Sequence, residues 1–277
     1  MSLIADRARL TDSSGRRHDI LTLMALGCTA YFVAVMGHEI LGHGTIMYLS
    51  GVRDFVLTST SIDALPPPPP ISNATKAGAA VFMGGSLFNV LLGAGLYLWL
   101  QRTRQGSQSP ALHFGLRLLA VVNLSLGLIY LSFSGIFGVG DWAELIAGWP
   151  DAGLWRVIEI GVGLAGFYLA ARLMARWLAE YQGRARRLTW APYLASVAAF
   201  CLIGLRVPDP VIILISVLPA PILGQLALVA APLLLRPSGQ PNPKPAQSIQ
   251  RSWPAIALAM LCLGATWWIA PGVTIHL

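Results

Sequence analysis

The chain has 277 residues, 55% of them hydrophobic and only 11% charged, which excludes an ordinary soluble domain and fits a polytopic membrane protein. The formal net charge of +7 does not point to nucleic acid, because the arginines cluster between apolar runs, where topology and anionic lipid headgroups account for them. Cys28, Cys201 and Cys262 each lie in an apolar segment, without the spacing of a disulfide framework or a zinc knuckle.

The N-terminal stretch "MSLIADRARLTDSSGRRHD" is polar, and the first apolar run lacks a small-residue cleavage site, so residues 1–19 read as a tail before a retained helix. Runs long enough to cross about 30 Å of hydrocarbon occur at 20–50, 77–101, 113–135, 153–178, 190–206, 211–235 and 254–271. They predict an all-α polytopic membrane protein, a bundle of about seven transmembrane helices. The fifth run is short, and "RVPDP" (206–210) reads as a tight turn or as the break of a re-entrant pair, so the count is six to seven. In the first loop, "FVLTSTSID" (55–63) predicts a short extended segment, and Pro66–Pro70 predict a polyproline II rod. In the sixth run, the prolines of "LPAPILGQ" (218–225) predict a kink, with Gln225 as its polar group, and Trp267 and Trp268 read as interface anchors.

Basic residues alternate from loop to loop. Arg7, Arg9, Arg16 and Arg17 precede the first helix, Arg102 and Arg104 come after the second, Arg184, Arg186 and Arg187 after the fourth, and Arg236, Lys244 and Arg251 after the sixth. The other loops are balanced or acidic: Arg53 and Lys76 against Asp54 and Asp63, then Asp141, Glu144 and Asp151. This pattern predicts seven spans in a bacterial inner membrane, with the N-terminus in the cytoplasm and the C-terminus outside. The end of the first helix and the third loop then share the outer side, and the expected partners are lipids and another membrane protein.

The first helix ends in "AVMGHEILGHGTIMY" (34–48), with His38, Glu39 and His43 inside an apolar run. At 1.5 Å per residue His38 lies roughly 27 Å and His43 roughly 35 Å along the helix, where ionisable groups are costly and mark function. Zinc hydrolases place two histidines four apart, so that both reach one ion while the adjacent glutamate meets its water. Here the histidines are five apart, about 140° around a straight α-helix. Two geometries reconcile them with a shared metal: a π-bulge between Gly37 and Gly44, or a straight helix on which Glu39 and His43 are the ligating pair.

"GHEILGHG" resembles the "HELGHA" motif of the site-2 protease (M50) family of intramembrane zinc metalloproteases, with one residue inserted. Two further stretches resemble that family in the same order. "VFMGGSLFNVLLGAGLYL" (81–98) is similar to its "GPxxNxLLA" helix, with Gly84, Gly85 and Asn89 in place and Ser86 where proline is usual. "SGIFGVGDWAEL" (134–145) stands where the family has "LDGG", with Trp142 in place of a glycine. The resemblance implies a metalloprotease-like core over 20–145, additional helices over 146–277, and a Zn2+ cofactor. It assigns His38, His43 and Asp141 as ligands, Glu39 as general base, and Asn89 as a residue that orients substrate or a ligand. It also implies that the extended segment of the first loop holds substrate by backbone pairing.

Sidedness supports Asp141 separately, since it comes after the glycine-broken turn "GIFGVG" on the side of the two histidines, whereas His18 and His113 fall on the other side and His276 at the C-terminus. Asp141 also reads as a solvated loop residue or a helix N-cap. Glu144 is the reserve ligand and Glu159 a candidate partner for a histidine. Asn89 beside Gly84 and Gly85 also fits a hydrogen bond between close-packed helices. The rival functions are a non-catalytic scaffold or metal-binding subunit of a membrane complex, and a transporter relaying protons through Glu39, His43 and Glu159.

Overall fold

The computed structural model describes residues 18–65, 76–103, 109–181, 185–235 and 248–277, so Pro66–Pro70 lie outside it. In chain order the helices are α1 (Ile20–Leu49), α2 (Lys76–Arg102), α3 (Pro110–Phe137), the short α4 (Asp141–Ile146), α5 (Ala152–Leu178), α6 (Ala185–Gly204), α7 (Pro210–Leu234) and α8 (Trp253–Ile269). Six of these, all but α4 and α8, are long and apolar enough to cross a membrane. The chain is an all-α polytopic membrane protein.

The helix caps are local in sequence. Asp19 accepts from the Thr22 amide at 2.9 Å to open α1, and Ser109 caps α3 with Pro110 at its first position. The C-terminus of α3 is closed by Gly138, at φ 67°, whose N–H reaches Ser134 O.

α8 has 17 residues, about 26 Å of helix. Its start is tied to the start of α1, by Ser252 N to Thr22 Oγ1 at 2.9 Å and by the Arg251–Asp19 ion pair at 3.0 Å. Its end leads into a strand that pairs with residues just beyond the end of α1. α8 therefore runs alongside α1 from one of its ends to the other.

α3 is packed among α1, α2 and α5. Lipid tails are as apolar as the side chains they meet, so helices in a membrane associate through close packing more than through a hydrophobic drive. Small residues provide it: a Cβ on Gly93 of α2 would meet Ala120 O and Leu124 of α3, and one on Gly163 of α5 would meet Leu128 O and Ser132.

α7 is irregular, as its prolines predict. It is π-helical over Ile213–Val217, carries Pro219 and Pro221, and ends in a 3-10 turn at Ala231–Leu234. Gln225, fully buried, donates to Pro221 O at 3.1 Å and accepts from Ser196 Oγ of α6 at 2.9 Å. Its role is to repair the broken backbone and hold α7 to α6.

At the end of the bundle where α1 finishes, β1 (Asp54–Leu57), β2 (Ile62–Leu65) and β3 (Val273–His276) form a sheet of order β2-β1-β3, antiparallel throughout. The single extended segment expected over 55–63 is thus a hairpin. Its turn is closed by Thr58 Oγ1, which accepts from the amides of Thr60 and Ser61.

Candidate metal centre

Residues Gly37–Gly44 of α1 are π-helical, and the Thr45 amide bonds Ile40 O, five residues back. A π-turn takes up one residue more than an α-turn, so residues five apart return to one face. The bulge, not the Glu39–His43 pairing, is the geometry adopted. The rings of His38 and His43 stand 4.8 Å apart, centroid to centroid.

The bulge is accommodated by α2. A Cβ on Gly42 would strike the backbone of Gly84 and Gly85, and a Cβ on Gly85 would strike Nε2 of both His38 and His43. Gly85 therefore gives the two imidazoles their space.

Asp141 completes the group. Its Oδ2 lies 3.6 Å from His38 Nε2 and 3.2 Å from His43 Nε2, and the three ligand atoms all lie within 4.8 Å of one another. The expected N-cap role is not taken: Gly140 occupies the cap position, and Asp141 is the first helical residue, with its carboxylate turned to the histidines.

The other ring nitrogens are engaged. His43 Nδ1 lies 2.7 Å from Val81 O, which fixes Nδ1 as the protonated nitrogen and leaves Nε2 a lone pair. His38 Nδ1 lies 3.3 Å from the Asn89 amide nitrogen, while Asn89 Oδ1 is buried without a partner. Turning that amide over presents Oδ1 to an Nδ1–H, the arrangement a ligating Nε2 requires. Asn89 thus joins its two sequence readings, a bond between helices that orients a ligand.

Two buried imidazole nitrogens and one half-buried carboxylate oxygen converge closely enough to hold a metal ion. Glu39 is 8% exposed and lines the same cavity, of about 650 Å3. The far wall belongs to α7, through Ile212, Ile215, Ser216 and Ala220, and β2 contributes Ile62, Asp63 and Ala64.

The remaining candidates fall elsewhere. Glu159 is buried on α5, but neither carboxylate oxygen has a partner and it does not line the cavity, so it does not support a histidine. Asn89 and Val81 O hold those positions instead, and a relay from Glu39 and His43 to Glu159 is not formed among the described residues. Glu144 is exposed and outside the ligand group, and His276 pairs with Asp54 at 2.6 Å on the sheet. His18 and His113 are buried near the start of α1 and of α3.

Tyr130 was not anticipated from the sequence. Its hydroxyl accepts from the Asp141 amide at 3.4 Å, and its ring meets the His38 ring edge-on at 5.8 Å. The available signal was a polar tip within the apolar run "LSLGLIYLSF". Comparison with protein-family models, curated proteins and solved structures finds no match to this chain.

Proposed function

We propose that this chain is an intramembrane zinc metalloprotease of the site-2 protease type, hydrolysing peptide bonds of membrane-associated protein substrates. The observation that carries the reading is the convergence of His38, His43 and Asp141 within 4.8 Å, with Glu39 buried beside them on the wall of one cavity. A zinc ion held by these three side chains supplies a Lewis acid for the scissile carbonyl and acidifies its water.

Glu39 comes directly after His38, and as general base it takes the proton of the attacking water and passes it to the leaving amine. Asn89 holds His38 in the tautomer that ligates. Among the described residues β2 is the outer strand of its sheet, and it lines the cavity, so an extended substrate segment can pair along that edge. A helical substrate unwinds to do so.

The alternation of basic loops supports a cytoplasmic N-terminus in a bacterial inner membrane, which puts the site in the outer half of the bilayer. The family site generally opens toward the cytoplasm, so the substrates inferred here are cut nearer the outer face. The test is cleavage of transmembrane peptides in proteoliposomes, read by mass spectrometry, with wild type beside Glu39→Gln. Cleavage that is lost in Glu39→Gln while its zinc is retained supports the reading. Equal cleavage in both proteins, or none by a zinc-loaded wild type, opposes it and favours a metal-binding scaffold.

A further inference from the structure

Asp141 is poorly fixed by its own segment. α4 has six residues, too short to be stable alone, and Gly138 and Gly140 before it both have positive φ. Gly140 caps the helix without a side-chain bond, and the Tyr130 hydroxyl holds the Asp141 amide only at 3.4 Å. A carboxylate on such a turn needs a further tether to stay over two histidines.

The neighbouring residue provides one. Trp142 Nε1 donates to Ser86 Oγ at 2.9 Å, and Ser86 is 2% exposed. An indole N–H has no acceptor function, so the hydroxyl accepts and the direction of the bond is fixed. Ser86 is next in the chain to Gly85, the residue against which both histidine rings lie. The bond therefore joins the turn that carries the third ligand to the turn of α2 that packs the first two.

We propose that the Trp142–Ser86 hydrogen bond is a positioning latch for Asp141 and sets the metal affinity of the site. The inference rests on the reading of His38, His43 and Asp141 as metal ligands. Neither latch residue touches the metal, and both act through the carboxylate.

The test uses the full chain in detergent, with zinc affinity measured by chelator competition and ligand geometry by the visible spectrum of the cobalt-loaded protein. Ser86→Ala and Trp142→Phe are each expected to weaken zinc by about 10- to 100-fold and to move the cobalt spectrum toward that of Asp141→Ala. Ser86→Thr, which keeps an acceptor, is expected to bind nearly as wild type. In an Asp141→Ala background Ser86→Ala adds no further loss. Wild-type affinity and an unchanged cobalt spectrum in both latch variants overturn the latch alone. So does a Ser86→Ala loss that is equally large without Asp141, because the bond then serves only general packing. A wild type that holds no metal overturns the metal-site reading and this inference with it.

Discussion

His38 and His43 are five residues apart on one helix, yet their rings stand 4.8 Å apart and both Nε2 atoms face the same carboxylate. The π-turn over Gly37–Gly44 makes this possible. Such a turn is equivalent to one residue inserted into an α-helix, so removing an exposed residue from it restores an α-helix without rotating the rest of α1. Leu41, 56% exposed, is that residue. Its deletion is expected to keep zinc affinity within about tenfold of wild type, whereas a site built on a straight helix would lose the metal. Chelator competition on the deletion variant measures which occurs.

The glycines at the contact of α1 with α2 should tolerate no side chain. Gly85→Ala places a methyl on the two Nε2 atoms and is expected to abolish zinc binding. Gly42→Ala drives a methyl into the backbone of Gly84 and Gly85 and is expected to destabilise the protein by about 1–3 kcal/mol, read as a lowered melting temperature in detergent. The two effects differ in kind, and zinc content beside melting temperature separates them.

Asn89 touches His38 and not the ligand position. Asn89→Ala is expected to weaken zinc by about 10- to 100-fold with little change in helical content. Asn89→Asp, which keeps an acceptor for Nδ1–H, should recover most of the affinity. Isothermal titration of the apo-protein with zinc gives the ranking.

The spans and the group His38, Glu39 and His43 were legible because each is written locally, as an apolar run or a chemical triplet, whereas the one cap read from the sequence, Asp141, is displaced by Gly140. The features that escaped depend on contacts distant in sequence. "VTIH" (273–276) alternates like a strand but pairs only because α8 returns the chain to β1. The segment 55–63 folds back on itself because Thr58 and Ser61 satisfy a turn through their hydroxyls, which the residue pattern alone does not distinguish from a continuous strand. The choice between bulge and straight helix was open in sequence, since the space beside Gly42 and Gly85 decides it. Ser86 and Trp142, each a departure from the site-2 protease pattern, prove to be partners.

At the opposite end of the bundle, Asp19 caps α1 and binds Arg251 just before α8. Burial works to raise its pKa, but the Thr22 amide and Arg251 outweigh that and hold it below the ordinary value. Because the folded pKa is depressed, its contribution is present above the unfolded value of about 3.9 and is lost as pH falls through the folded one. Asp19→Ala is expected to cost about 1 kcal/mol near neutral pH and less in acid. Melting temperatures of the two proteins across pH 3–7, an experimental range of roughly four units, test the sign.

The metal is the centre of the proposed chemistry, and elemental analysis of the purified full chain tests it most directly. Zinc is expected near one per chain, on the donor set of two histidines and one aspartate, in the wild type and in Glu39→Gln, and lost from His38→Ala, His43→Ala and Asp141→Ala. Zinc retained unchanged in all three ligand variants, or absent from a folded wild type supplied with it, would contradict the site.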